Sequence, residues 1–231
     1  MWAAHFHDLG EPPPYTRRMA ALETRLLVLG AVAIFEPVNG YQIRRELLSW
    51  GVEDWAHIKP GSIYSSLSTL TGQGALERHD LVDSGRQVAV YTVTPEGRTE
   101  LARLFAVALE TVDVMAPLAF HTALSLIPLI AREPFLAHLR TRLVNAELLR
   151  LDGEAHVDDL KFAPPHVKTV IGLWSRVAEV ENQWVTELID QVEAGSFAFA
   201  GEESDWTPPA DDPGWQMAAD RDRYLKLLDR S

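Results

Sequence analysis

Residues that carry hydroxyl groups lie on one side of a segment that begins at Lys59-Pro60. If residues 60–73 form a helix, Ile63, Leu67 and Leu70 fall at i, i+4 and i+7 and make a narrow apolar stripe. The opposite face then presents Ser65, Ser68, Thr69 and Gly72, and it is flanked by Ser62 and Tyr64. Because hydroxyl groups both donate and accept hydrogen bonds, this face can bind polar groups of a partner. Lys59 adds a positive charge where the helix begins.

The residue patterns of catalytic sites are missing from this sequence. It has no Gly-rich phosphate loop, no Gly-x-Ser-x-Gly and no ordered nucleophile–base pair. The absence of cysteine excludes disulfides, thiolate metal ligands and a cysteine nucleophile. The histidine clusters at His5-Phe6-His7 and around His156 lack the spacing of known metal sites. We therefore expect neither an enzyme nor a metal or other cofactor.

The elements around the hydroxyl face must hold it in place. Apolar periodicity and stop signals predict helices over Arg17–Phe35, Tyr41–Trp50 and Pro60–Gln73. The turn Asp83-Ser84-Gly85 separates two predicted strands, Leu76–Val82 and Gln87–Thr94, and a fourth helix then begins at Thr94-Pro95-Glu96. This order is typical of a winged helix-turn-helix. In that fold the third helix enters the DNA major groove, and we expect the hairpin, or wing, to lie along the flanking phosphates.

The second half of the chain is predicted to be helical, with breaks near its prolines. We expect helices at about residues 118–131, 134–151 and 165–194, and a short final helix over 215–228. Trp215, Leu225 and Leu228 would turn that helix back onto the body or onto a second copy. The fold class is thus mainly α with a small β-hairpin wing, a winged helix-turn-helix followed by an all-α dimerisation domain. The predicted segments are an arm (1–15), a DNA-binding domain (16–112), a dimerisation domain (113–195), an acidic linker (196–214) and the final helix (215–231).

Four short motifs occur in order between residues 39 and 97. They are Asn39-Gly40-Tyr41-Gln42-Ile43, Lys59-Pro60-Gly61-Ser62-Ile63-Tyr64-Ser65-Ser66-Leu67, Gly74-Ala75-Leu76 and Tyr91-Thr92-Val93-Thr94-Pro95-Glu96-Gly97. Together they resemble the PadR family of bacterial transcription regulators over about residues 20–112. Segments around 120–129 and Glu181-x-x-Trp184 resemble, more loosely, the helical C-terminal region of its longer members.

The resemblance implies a homodimer that binds double-stranded DNA at a pseudo-palindromic operator, usually as a repressor. It also implies a possible small, often aromatic, effector that releases the DNA. The positions expected to face DNA are Tyr41, Lys59, Ser62, Tyr64, Ser65 and Ser68. The arginines expected to add backbone contacts are Arg17, Arg18, Arg44, Arg45, Arg78 and Arg86. The dimer interface is expected to include Trp174, Val177, Trp184 and Leu188.

Charge separates this sequence from a typical DNA-binding protein. The net charge is −12, and residues 1–112 carry 10 Lys/Arg against 13 Asp/Glu. The wing has few basic residues, and serine or threonine discriminates poorly between bases. An alternative is therefore a winged helix that binds another protein instead of a specific DNA sequence. With no cysteine and no apolar run near 18 residues, we expect a cytoplasmic protein without a membrane span.

Overall fold

A computed structural model describes residues 14–155, 163–212 and 214–229, with the backbone alone for residues 14–21 and 152–155. The described chain forms two compact units, residues up to 98 together with those from 220 on, and residues 99–219. Nine α-helices and three strands are described, in the order α1 (Pro14–Phe35), β1 (Val38–Asn39), α2 (Gly40–Ser49), α3 (Val52–Trp55), α4 (Pro60–Gly72), β2 (Leu76–Asp83), β3 (Arg86–Val93), α5 (Pro95–Glu110), α6 (Leu118–Leu124), α7 (Arg132–Ala155), α8 (Pro165–Glu193) and α9 (Gly214–Leu228).

The first unit is built on a buried segment of α1. Residues 26–29, 31 and 32 are inaccessible to solvent, and α1 packs against both α2 and α4. Ile43 and Leu47 on α2 are also fully buried. This packing of α4 on α1 and α2 is the arrangement that the periodicity predicts, and it fixes which side of α4 faces outward.

A three-stranded antiparallel sheet follows the helices, with the strand order β1-β3-β2. The register of the hairpin runs from Leu76 opposite Val93 to Asp83 opposite Arg86. Strand β1 adds the pair Val38 and Tyr91 on the other edge of β3. The hairpin lies within a residue of its predicted limits, whereas β1 and the short helix α3 are additions. The fold class predicted from the sequence is confirmed.

The second unit consists of helices, and α7 packs along α8. Arg142 lies at its centre with a 1% exposed side chain. The guanidinium donates to the carboxylate of Glu181 through Nε at 3.0 Å and to the Leu109 carbonyl at 3.2 Å, and it stacks 3.8 Å above the Phe120 ring. Trp184 meets the same ring edge-on, with centroids 6.2 Å apart. The residues of the Glu181-x-x-Trp184 segment therefore hold the unit together.

The structure differs from the predicted elements of the second half in two places. The helix predicted over 118–131 ends at Leu124, and a separate 3-10 turn covers Ile127–Leu129. Because Pro128 has no N–H to donate, α6 does not continue through it. The second difference is the apolar side of α9. Trp215 and Leu225 are 48% and 44% exposed, whereas Tyr224 is 2% exposed and packs on the wing.

Candidate nucleic-acid interface

Helix α4 presents one buried and one exposed side. Ile63, Leu67 and Leu70 are 0–1% exposed and anchor the helix in the core. The exposed residues of the helix are Gly61, Ser62, Tyr64, Ser65, Ser68, Thr69 and Gly72. The α4 positions expected to face DNA, Ser62, Tyr64, Ser65 and Ser68, thus lie on one accessible surface, the reading face, and Tyr64 is 46% exposed.

The hydroxyl groups of this surface are not equivalent. Ser65 Oγ donates to the carbonyls of Gly61 and Ser62 at 3.1 Å, and Thr69 Oγ1 donates to the Ser65 carbonyl at 2.8 Å. These two hydroxyls therefore face a partner mainly as acceptors. The hydroxyls of Ser62 and Ser68 have no hydrogen-bond partner within the described ranges, so each can donate as well as accept.

Tyr64 packs against the first residue of α2. A Cβ atom on Gly40 would lie 3.2 Å from Cε1 of Tyr64 and 3.4 Å from Cδ1 of Leu67, which is tighter than normal contact. Glycine thus lets α4 approach the start of α2. The contact orients the ring and leaves its outer half exposed.

The start of α2 is fixed by a reciprocal cap. Asn39 Oδ1 accepts from the Gln42 amide at 2.9 Å, and Gln42 Oε1 accepts from the Asn39 amide at 3.2 Å. Tyr41 follows Gly40 in the first turn of α2 and is 62% exposed. Asn39 and Gln42 belong to the first of the four motifs, but no capping role was predicted for them. The Asn-x-x-Gln spacing before an apolar run was the signal that could have revealed it.

The positive charges near α4 differ in their partners. Lys59 is the exposed N-cap residue of α4, and its side chain makes no capping bond. Arg44 is half-buried, and Arg45 donates to Glu46 at 2.9 Å. The side chains of Arg17 and Arg18 lie outside the described residues. Lys59 is therefore the cation best placed to meet a phosphate group at the start of the reading face.

The two arginines proposed on the wing lie in different electrostatic surroundings. Arg78 donates to Asp80 Oδ1 at 2.7 Å and 3.1 Å, and this hydrogen bond raises the pKa of Arg78 above its ordinary value. Its charge is therefore partly neutralised. Arg86 is exposed at the turn, and within the described part of the chain its guanidinium has no ion-pair partner.

The end of the wing explains the last motif. Thr94 Oγ1 donates to the Gly74 carbonyl at 2.6 Å and accepts from the Gly97 amide at 3.0 Å, so it caps α5 and joins the helix to the base of the hairpin. Gly74 ends α4 with φ +74°, a left-handed conformation that favours glycine. The threonine and the two glycines are therefore structural residues that set the position of the wing relative to α4.

Most of the residues predicted for a dimer interface are exposed on α8. Trp174, Val177 and Trp184 are 38%, 43% and 44% exposed. Leu188 differs, because it is 4% exposed and belongs to the core of its own unit. The exposed apolar side chains on α8 are Val170, Leu173, Trp174, Val177, Val180 and Trp184.

A buried carboxyl lies in the first unit outside the reading face. Glu23 on α1 is 6% exposed, and desolvation raises its pKa from 4.5 to about 7. This burial was not predicted, because an acidic residue on a helix is usually exposed to solvent. None of the described helices has the length and apolar character of a membrane span.

The packed helices α1, α2 and α4, with one face of α4 exposed and an antiparallel hairpin after it, define a winged helix-turn-helix domain. Residues 28–103 match the model of the transcriptional regulator PadR-like family. The domain that they form belongs to this family, which confirms the resemblance carried by the motifs.

The solved structures to which the chain is similar include the following three, while curated protein sequences give no significant match. The chain is similar to Bacillus subtilis PadR in complex with operator DNA, at 18% identity and a TM-score of 0.30, over 73% of this chain and 98% of that one. It is also similar to a PadR-like transcriptional regulator from Bacillus cereus, at 15% identity and a TM-score of 0.32, over 73% and 94%. A Streptococcus mutans protein matches at 17% identity and a TM-score of 0.31, over 72% and 98%. The assignment itself rests on the family match over residues 28–103.

Proposed function

We propose that this protein is a sequence-specific DNA-binding transcription regulator, a homodimeric repressor that binds a pseudo-palindromic operator. The observation that carries the proposal is the exposed hydroxyl face of α4, which is anchored from behind by Ile63, Leu67 and Leu70. A helix held in this way can enter the major groove, with Tyr41 and Lys59 at the flanking phosphates.

Hydroxyl groups alone discriminate weakly between bases, so DNA shape is expected to contribute to specificity. The wing adds little positive charge, since Asp80 partly neutralises Arg78. Arg86 at the turn is the wing residue best suited to a phosphate contact. We therefore expect modest affinity with a measurable dependence on salt.

The proposal is tested by titrating the full chain against DNA from its own promoter region at several salt concentrations, with a scrambled duplex beside it. Preferential binding to the promoter duplex, with affinity that falls as salt rises, is the expected result. Equal and feeble binding to both duplexes would contradict sequence-specific recognition.

Lys59→Ala tests the orientation of the reading face. Loss of one phosphate contact should lower affinity by about threefold to tenfold and reduce the salt slope by roughly one unit. Lys168→Ala removes the same charge from an exposed site on α8 and serves as the control. Equal effects of the two variants would mean that only the overall charge matters, not the position of Lys59.

The proposed dimer is supported by the spacing of exposed apolar residues on α8. Val170, Leu173, Val177, Val180 and Trp184 alternate by three and four residues, which is the spacing of a coiled-coil seam. A monomer would leave this seam in water. A second copy of α8 is the occupant that the periodicity fits, and residues 113–195 are proposed as the dimerisation domain.

A cavity in the second unit supports the proposed effector. It has a volume of about 620 Å³ and lies among residues 112–115, α7 and α8. Its lining is mainly apolar and includes Trp174, which suits a small aromatic ligand. The polar residues of the lining are Asp113, Arg150, Ser175, Glu179 and Asn182. Small aromatic compounds should quench the fluorescence of Trp174 and release DNA, and a Trp174→Phe variant should lose the quenching. Quenching that persists in this variant would place the ligand elsewhere.

The second candidate function is a protein-interaction module. The observations that favour it are the net charge of −12 and the neutralised Arg78. This function predicts weak binding to every duplex together with tight binding to a protein. The promoter titration separates the two candidates directly.

A further inference from the structure

The C-terminal part of α9 makes three polar contacts with the rest of the winged-helix unit. Tyr224 Oη accepts a hydrogen bond from Asn39 Nδ2 at 2.9 Å. Asp220 Oδ2 accepts from Gln42 Nε2 at 2.7 Å, in a buried position. Arg223 donates to Asp83 at 3.1 Å beside the wing turn. These contacts join residues that are 140 to 185 positions apart in sequence.

Two of these polar contacts, those of Tyr224 and Asp220, are made with the residues that cap α2. Asn39 and Gln42 already form the reciprocal cap, and α9 occupies their remaining side-chain groups. The start of α2 carries Tyr41 and supports Tyr64 through Gly40, so both tyrosines are positioned by this cap. A change in the contact with α9 would therefore reach the proposed reading face directly.

The apolar contacts of α9 cover one face of the wing. Tyr224 forms a buried cluster with Leu81 on β2 and Val90 on β3, and Leu227 and Leu228 pack against it. Because alternate residues of a strand point to opposite faces, Arg78 and Asp80 lie on the other face, which is exposed. Without α9, the outer half of the hairpin would have an uncovered apolar face.

We propose that the segment Asp220–Leu228 is a clamp that holds the wing and the start of α2 in their DNA-reading positions, with Tyr224 as the positioning residue. Tyr224 contacts both elements, through its hydroxyl to Asn39 and through its ring to Leu81 and Val90. The effect on DNA binding rests on the proposed function, whereas the effect on the wing does not.

The clamp is tested in the full chain with Tyr224→Ala, Tyr224→Phe and the control Leu225→Ala, which changes a 44% exposed neighbour on the same helix. Amide hydrogen exchange of residues 76–93 and of the first turn of α2 is measured beside DNA affinity. Tyr224→Ala should raise exchange in both segments by about tenfold or more and weaken DNA binding by a similar factor. Tyr224→Phe retains the ring and loses the hydroxyl, so exchange should rise mainly at α2.

The outcomes separate the clamp from the proposed function. Unchanged exchange of the wing in Tyr224→Ala, or an equal change in Leu225→Ala, would overturn the clamp. Faster exchange with unaltered DNA affinity would overturn its role in reading DNA. Faster exchange in a protein whose wild type binds no specific duplex would support the clamp and contradict the proposed function. If Tyr224→Ala does not fold, Tyr224→Phe provides the same comparison at the start of α2.

Discussion

At the scale of single residues, Gly97 has no space for a side chain. A Cβ atom there would lie 2.0 Å from the carbonyl oxygen of Ala75 and 2.9 Å from Val93 Cγ1. Because backbone cannot move aside cheaply, Gly97→Ala should lower the free energy of unfolding by about 3 kcal/mol or more. Gly72→Ala, where no atom lies within 4 Å, is the control and should stay within about 0.5 kcal/mol of wild type. Chemical denaturation of both variants checks this, and equal stabilities would contradict it.

The buried carboxyl of Glu23 should make the stability of the protein depend on pH. Its pKa is raised from 4.5 to about 7 by burial, so the folded state holds the proton more tightly than the unfolded state. The resulting stabilisation is present below pH 4.5 and is lost as pH rises through about 7. Glu23→Gln removes this dependence and should be more stable than wild type by roughly 1–2 kcal/mol at pH 8.

The measurement for Glu23 is the difference in unfolding free energy between variant and wild type at pH 5 and at pH 8. The difference should grow with pH for Glu23→Gln and stay constant for Glu53→Gln, which changes an exposed side chain. A constant difference for Glu23→Gln would mean that the buried carboxyl does not change its ionisation over this range.

At the scale of elements, Arg142 joins α7 to α8 and to the end of α5. It is 1% exposed, and its pairing with Glu181 satisfies a charge that has no access to water. Arg142→Ala would leave the half-buried Glu181 without its partner and should cost about 3 kcal/mol in unfolding free energy. Arg140, two residues before Arg142, forms an exposed ion pair with Glu193. Arg140→Ala breaks that pair and should lower the free energy of unfolding by less than about 1 kcal/mol. Thermal unfolding compares the two, and similar losses would show that burial is not decisive.

Some of the secondary-structure elements could be predicted from the sequence, and others could not. The helices of the first unit and the hairpin were predictable because apolar periodicity, Gly74 and Thr94-Pro95 mark them locally. The strand β1 was missed because two residues carry no periodic pattern. The role of α9 was also missed, since the burial of Tyr224 depends on strands more than 130 positions earlier in the chain.

The exposed residues of the reading face were predictable from local helical spacing, but the electrostatic environment of the arginines was not. The exposure of Ser62, Ser65 and Ser68 follows from helical spacing against the buried stripe. The neutralisation of Arg78 by Asp80 depends on side-chain geometry along one strand, which composition does not reveal. Leu188 lies on the same helix as the exposed seam, but tertiary packing places it in the core.

At the scale of the whole molecule, the proposed operator binding depends on two copies. Val180 is 68% exposed in the centre of the α8 seam, so Val180→Glu should leave the fold of the protomer intact. A buried, unpaired carboxylate in the interface should raise the dimer dissociation constant by about 100-fold or more. Light scattering over a concentration series measures this shift. Val82→Glu is the matched control, because Val82 is 62% exposed on the wing and lies outside the seam.

Loss of the dimer should also weaken operator binding, because a monomer can occupy only one half-site of a palindromic operator at a time. A duplex with a single half-site should therefore bind Val180→Glu and wild type with similar affinity, while the full operator should favour wild type. If Val180→Glu is dimeric over the same concentration range in which the wild-type protein is dimeric, the α8 seam is not the interface. If it becomes a monomer and still binds the full operator as tightly, the reading unit acts alone and the operator need not be palindromic.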